Sequence, residues 1–542
     1  MRIAIYHGYE LTGSGSNEYT RYLSRALMRA GHEVHVLCRE PDPAAIEHAT
    51  SAHAWDAQGR LVSIFRRQDD GPGVCAVHRL PHAAVRPVYL MDKQRAGRVK
   101  SFVALSDDQL REYHAVCAGA VTGVLQLVRP DLLHANHVLY QPVVAREVCA
   151  VTATPFVVYP HGSAIEYTLR VDRRYVPLVE QALDAATGWI TGNGEVRDRI
   201  LGLYPARRDP WLAKHAIVGV GVDTALFQPV ERAQRRQSIA ALPRTSFRGK
   251  TPAQRRIFAG RLERGDLDAL RIGAPYDQDE PDADLLVRLG AIPWDAPIVL
   301  YVGSLTAGKG IQSLLAAFPR VLHLHPEARL IVVGNGSYRE PLEAFVHALA
   351  TGNQALLDHL VQRGFDLDRS ELRGPWDDVA TFLRNPLARR DAFEQGVRLW
   401  TQVHFVGRLR HDLLARVFPC ADVAVFPSVV PEAYPLVLME SLANGVVPLV
   451  SDFSGFADGL RELDRLLGPE LVDRMRIPSS GPFRVERLAQ QLIALLGDRT
   501  LDALRPRLRA VAVRHFDWSV RAAQMTEAYA RFVAPASRTA AG

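Results

Sequence analysis

The residues best placed to do chemistry lie in a few short turns. In PEAYPLVLMESLANG, Pro431 to Gly445, the glutamates Glu432 and Glu440 bracket seven residues, and Pro435 stands between them. A carboxylate accepts two hydrogen bonds at once and so matches a pair of vicinal hydroxyls, as on a ribose or a hexose. The preceding ADVAVFPS reads as a strand, and proline suits the first turn of a helix, which puts Glu432 ahead of a helix and Glu440 inside it. The N–H groups of that helix start would attract a phosphate. The stretch can therefore hold a sugar, a diphosphate and a ribose in that order. Spacing alone does not decide this, because a chain of this length holds roughly one or two such pairs by chance.

Three other turns offer related chemistry. In VGSLTAGKG, Gly303 ends a strand, Ser304 follows it, and Lys309 sits just before a helix, where it reads as a partner for a diphosphate or as a surface lysine. The Walker order G-x-x-x-x-G-K-[ST] is absent. In YPHGSAIEYT, His161 follows a buried-looking strand and Gly162 permits a tight turn, so a catalytic and a structural histidine are equally good readings. In HGYELTGSGSNEYT, Gly13 and Gly15 let the backbone approach a ligand at a helix start. A phosphate is the natural guest there, with a plain flexible turn as the alternative. The dinucleotide fingerprint fails in this loop at Glu18, and in VGNGSYRE at Arg339.

The elements that must position these turns alternate between short apolar runs and helical patterns. RIAIY, GHEVHVLC, DLLHAN, TPFVVYP, GWITGN and HAIVGVGV read as strands, and Tyr19, Leu23, Leu27 and Met28 give the first helix an apolar stripe. The pattern resumes with PIVLYVGSL, RLIVVGNG, VHFVGRL, ADVAVFPS and VVPLVSD. Strands separated by helices imply parallel βαβ units. Two such domains in tandem make a cleft between strand C-termini, where open α/β sheets bind ligands. The expected layout is an acceptor-side domain over 1–229, a basic linker over 230–292 and a second domain over 293–515 with an insertion near 338–400, then a final segment over 516–542. The arginine-rich stretch between the domains is expected to be a solvated linker, with a phosphate- or lipid-facing patch as the alternative.

Bulk properties bound the class. A chain of 542 residues with 48% hydrophobic and 23% charged residues is ordinary for a globular protein with more than one domain. A net charge of +6 from 65 basic and 59 acidic residues gives no reason to expect nucleic acid as a partner. Five scattered cysteines, with no C-x-x-C pair, argue against a disulfide framework and a zinc site. No signal-peptide pattern and no spanning apolar run appear, so the expected location is cytoplasmic, with peripheral membrane contact left open.

Taken together, the glycine loop, DLLHANH, YPHG, VGVGVDTALFQP, VGSLTAGKG, VVGNGSYRE, VHFVGRL, the E-x7-E stretch and SDFSG resemble a family 4 glycosyltransferase of the GT-B fold. The resemblance implies two Rossmann-like, doubly wound domains facing across a cleft, with a C-terminal helix crossing back to the first. It implies a retaining, metal-independent hexosyl transfer from a nucleotide-sugar, with no cofactor, to a saccharide, lipid-linked or small-molecule acceptor. By the same resemblance Glu432 faces the donor sugar, Glu440 holds the ribose, and Lys309 with Gly13 and Gly15 clamps the diphosphate. His161 lies near the transferred sugar. Gly303, Ser304, Gly407, Tyr434, Leu436 and Val437 complete the donor site, with VHFVGRL lining the base. Many relatives carry arginine at position 304 and glycine at 435, and this chain has Ser304 and Pro435. Both changes remove leaving-group stabilisation. A catalytically silent nucleotide-sugar binder and a nucleotide-sugar epimerase are the alternative readings.

Overall fold

The protein is described by a computed structural model that covers all residues except 57, 68–70, 90–97, 272–275, 370–371 and 534–542. Eleven strands form the first half: β1 (Arg2–Tyr6), β2 (Glu33–Cys38), β3 (Ser51–Trp55), β4 (Leu61–Arg66), β5 (Val74–Arg79), β6 (Arg86–Val88), β7 (Val99–Ser101), β8 (Leu132–Asn136), β9 (Phe156–Tyr159), β10 (Gly188–Thr191) and β11 (His215–Ile217). Nine of them make one sheet in the order β11-β10-β9-β8-β1-β2-β5-β3-β4, with β6 and β7 paired separately. Every ladder of the large sheet is parallel except β3 with β4. The segment carrying β3, β4 and β5 was not read as strand from the sequence.

The second half contributes β12 (Ile298–Val302), β13 (Arg329–Val333), β14 (Val403–Phe405), β15 (Val423–Phe426), β16 (Val447–Ser451) and β17 (Arg476–Ile477), in the order β14-β13-β12-β15-β16-β17, all parallel. Each sheet has a central switch point where its strand order reverses, between β1 and β8 and between β12 and β15. Ligands of doubly wound sheets bind at that reversal. The loops there are the ones that carry His7, Gly13, Asn136, Lys309 and Glu432.

Residues 230–292 correct the expectation of a solvated linker. Ile239, Leu242, Leu262, Leu285, Leu289 and Ile292 are buried in the core of the second sheet. Arg235 is fully buried, with Nη2 2.5 Å from Asp422, which also accepts from Arg232 at 2.8 Å and from the Ile298 N–H at 2.8 Å. Lys250, also fully buried, pairs with Glu343 at 2.5 Å. The buried cations Arg235 and Lys250 are thus neutralised by acids far away in sequence, while Arg248, Arg255 and Arg261 pair with acids of the segment itself. The long connection before β14 is likewise packed as helices, Arg339–Thr351, Gln354–Arg363, Asp377–Arg384 and Pro386–Glu394 among them.

The last helix, Trp518–Val533, returns to the first sheet. Trp518, Met525, Tyr529 and Phe532 join one core with Ile3, Ile5, Tyr19 and Leu23. The part of the expected C-terminal segment beyond residue 533 lies outside the described residues.

Candidate active site

On the first sheet, β1 and β8 are each followed directly by a histidine, His7 and His137. His7 Nε2 meets Asn17 Oδ1 at 2.9 Å. The Asn136 amide donates to Thr20 at 2.9 Å and to His7 Nδ1 at 3.3 Å. Asn136 Oδ1 accepts from His134 Nε2 at 3.1 Å and from His161 Nε2 at 3.2 Å, and His134 Nδ1 takes the Tyr529 hydroxyl at 2.6 Å. With Nε2 of His161 donating, its Nδ1 is left as an acceptor, a tautomer assigned from the network. Burial pushes His7 and His134 down to about 4, and pushes His137 and His161 well below the usual histidine range. All four rings are therefore neutral at physiological pH.

His137 went unnoticed in the sequence. It is 2% exposed, sits at φ +67, and neither ring nitrogen has a partner among the described residues. Its ring lies 4.7 Å from that of His161 and 5.3 Å from that of Tyr9, whose hydroxyl is also unpartnered. The signal available was its place at the C-terminal end of DLLHAN, next to the expected cleft. Beside these turns the helix Gly15–Arg29 begins with Ser14 as its cap. Gly13 takes φ +105, and nothing lies within 4 Å of a Cβ built on Gly15, so the helix start is open.

On the second sheet, β12 leads through exposed Ser304 into a short turn, Ala307–Lys309. Gly310 closes it at φ +70, where a side chain would collide with the Pro427 carbonyl. This brings Lys309 Nζ to 2.5 Å from Glu432 Oε1, which also accepts from Ser428 Oγ at 2.9 Å. Pro435 caps the helix Leu436–Ala443 from just outside its first turn. Glu440 is buried in that helix with His411 Nε2 at 3.5 Å. Burial pushes the Glu440 carboxyl up, His411 opposes this, and Glu18 adds to it.

The remaining expected donor residues divide. The Gly303 N–H bonds to Val333 at 3.0 Å, and the Gly407 carbonyl accepts from Gly334 at 2.8 Å, so the two glycines flank the end of β13 from either side. Gly407 also bridges to Pro281, and the acidic segment from Glu280 to Asp282 packs directly over it. Tyr434 turns into the seam between the lobes, with its hydroxyl on Glu462 at 3.1 Å and its ring against Gly192. Leu436 packs with the first core and Val437 with the second.

The two halves meet at these turns. A Cβ on Gly162 would lie 2.9 Å from that of Ala433, the residue after Glu432. Asn193 Nδ2 donates to the Ala433 carbonyl at 2.5 Å, and the Tyr22 hydroxyl reaches His411 Nδ1 at 2.8 Å. His161 and the Lys309–Glu432 pair thus face one junction. For a metal, the described residues offer only His323, Asp391 and Glu394, with ligand atoms within 4.8 Å of one another. That group lies at the far end of the helix that follows Lys309, and Arg320 already binds Asp391 at 2.6 Å.

Paired parallel lobes whose switch points bring together a lysine, carboxylates and an open helix start define a class of two-lobed proteins that bind phosphorylated, hydroxyl-rich ligands. A model of Glycosyltransferase Family 4 matches residues 13–226, and one of Glycosyl transferases group 1 matches 288–358 and 391–474. The chain belongs to glycosyltransferase family 4. It is 26% identical over 306 residues to a phosphatidyl-myo-inositol mannosyltransferase of Mycobacterium tuberculosis (strain ATCC 25618 / H37Rv), covering 53% of this chain and 64% of that protein. The matched stretch therefore spans under two thirds of that relative's length. Among solved structures, sucrose-phosphate synthase from Thermosynechococcus elongatus superposes with a TM-score of 0.55 at 20% identity, covering 98% of both chains. The catalytic domain of starch synthase IV from Arabidopsis thaliana, bound to ADP and acarbose, gives 0.57 at 14% identity, covering 98% of this chain and 99% of that one. The fold is GT-B, as the resemblance implied. No helix among the described residues is long and apolar enough to cross a membrane.

Proposed function

We propose that the protein transfers a hexosyl group from a nucleotide-sugar to an acceptor hydroxyl, with retention and without a metal. The observation that carries this reading is the Lys309–Glu432 pair at 2.5 Å, set at the β12/β15 switch point opposite His161. As the bond between sugar and phosphate breaks, charge grows on the diphosphate, and preorganised donors there lower the barrier. Lys309 and the open start of the helix Gly15–Arg29 would supply them. Glu432 and the acceptor-competent His161 Nδ1 would hold sugar hydroxyls, and Glu440 would take the ribose. A neutral His161 of lowered basicity suits a positioning hydrogen bond better than proton abstraction, which leaves a leaving-group phosphate oxygen to take the acceptor proton.

His137 and Tyr9 suggest where an acceptor would sit. Both His137 ring nitrogens and the Tyr9 hydroxyl are buried without a partner among the described residues, a state that costs about 1–3 kcal/mol per group unless a ligand or water completes it. A polyol acceptor, free or lipid-linked, has hydroxyls to offer, and the relative named for phosphatidyl-myo-inositol points the same way. Peripheral membrane contact follows if the acceptor is lipid-linked.

The test is turnover. UDP-glucose, GDP-mannose and ADP-glucose are each incubated with the protein in excess EDTA, with inositol and lipid-linked polyols as acceptors, and products are read by mass spectrometry. Transfer or slow donor hydrolysis is expected with one of them, and Glu432→Gln should abolish it. Binding without turnover would establish the silent binder instead. An isomerised nucleotide-sugar would establish the epimerase.

A further inference from the structure

Charge opposite the leaving group is scarce in this site. Lys309 already donates to Glu432 at 2.5 Å, and Ser304, exposed at the end of β12, is uncharged. A second cation nevertheless stands at the same C-terminal end of the sheet, after another strand. Arg408 follows Gly407 just beyond β14, two strands away from β12 but at the same C-terminal end of the parallel sheet as Ser304 and Lys309. Its guanidinium extends across to the first lobe. A Cβ on Gly13 would lie 3.5 Å from Arg408 Nη2 and 3.8 Å from Nη1. The arginine thus stands against the glycine loop that opens the helix Gly15–Arg29.

Arg408 is held loosely. Its guanidinium is 27% exposed and pairs at 2.7 Å with Asp279, a carboxylate 54% exposed that immediately precedes the acidic segment over Gly407. Exposed pairs of this kind hold little free energy. A guanidinium presents parallel N–H groups that fit two phosphate oxygens at once, and a diphosphate carries more charge than one carboxylate.

We infer that Arg408 is the second cation of the diphosphate clamp, supplying across the cleft the charge that position 304 lacks, and that it exchanges Asp279 for the diphosphate when the donor binds. This rests on the nucleotide-sugar reading above. It adds a role for the acidic segment, which would present Arg408 in its working direction and compete with the ligand for it.

Calorimetric titration with UDP, GDP, ADP, their nucleosides and inorganic pyrophosphate tests this directly. For the diphosphate that the unaltered protein binds best, Arg408→Gln and Arg408→Ala should weaken binding by about 10- to 100-fold, the worth of a charged hydrogen bond. Affinity for the matching nucleoside should fall by much less, because a nucleoside has no charge for the guanidinium to meet, although VHFVGRL is expected beside the base. Asp279→Ala should tighten diphosphate binding, and Ser304→Arg should restore part of the loss in the Arg408→Ala background. Arg408→Lys, which keeps the charge and the fold but not the fork, should fall between. Unchanged diphosphate affinity in Arg408→Gln, with an unaltered melting temperature, overturns the inference and leaves the proposed function standing. Failure of the unaltered protein to bind any diphosphate overturns both.

Discussion

Glu440 and Lys309 carry different parts of the proposed donor, and their variants should fail differently. Glu440 is buried, with the His411 ring at 3.5 Å, so ribose hydroxyls would complete its hydrogen bonds. Glu440→Gln is expected to raise donor KM by about 10- to 100-fold with kcat little changed. Steady-state kinetics checks it, and an unchanged KM removes Glu440 from the site. Lys309 faces charge that develops as the bond breaks, so Lys309→Ala should lower kcat by about 10²–10³ at saturating donor. A near-normal kcat would mean that the diphosphate is held without it. Both residues were legible in the sequence, because a turn with glycine or proline at fixed offsets announces itself locally. Asn136, His137 and Arg408 were not. Their meaning depends on which loop faces which across the cleft, and spacing along the chain does not carry that information.

Strands and helices of ordinary length were legible for a related reason. β1, β2, β8, β9, β12, β13 and β15 each show a short apolar run next to a glycine or a helical stripe. The antiparallel β3 and β4 escaped notice because β4 is largely exposed and alternates weakly. Residues 230–292 misled more seriously, since their buried cations Arg235 and Lys250 are balanced by Asp422, Glu340 and Glu343, far along the chain. That packing has a measurable cost when broken. Asp422 anchors Arg235, Arg232 and the first residue of β12, and Asp422→Ala would leave the fully buried Arg235 guanidinium without its carboxylate. Removing one partner of a buried pair typically costs about 3–5 kcal/mol. Denaturant titration should show a loss in that range, and a loss under about 1 kcal/mol would mean that the segment does not depend on this anchor.

The assembled protein should be acid-sensitive for a reason visible in its histidines. His7 and His134 are fully buried and held near 4, while an unfolded histidine titrates near 6.5. Between those values the unfolded chain binds protons that the native one refuses, so stability is fully present above about pH 6.5 and is lost as pH falls toward 4. At pH 5 each ring removes about 2 kcal/mol. Melting temperatures measured from pH 7.5 to 5 should drop progressively, and a flat profile would show that these rings do not stay neutral in the native state. The last helix adds a constraint of another kind. Trp518 to Phe532 fill a core that also contains Ile3, Ile5 and Tyr19, and Tyr529 completes His134. During synthesis those partners leave the ribosome hundreds of residues apart, at about 5–20 residues per second. For tens of seconds the nascent first lobe carries an uncovered apolar groove and a histidine, His134, that lacks one of its two hydrogen-bond partners. It is then a client for chaperones, and it becomes a finished lobe only when the far end of the chain arrives.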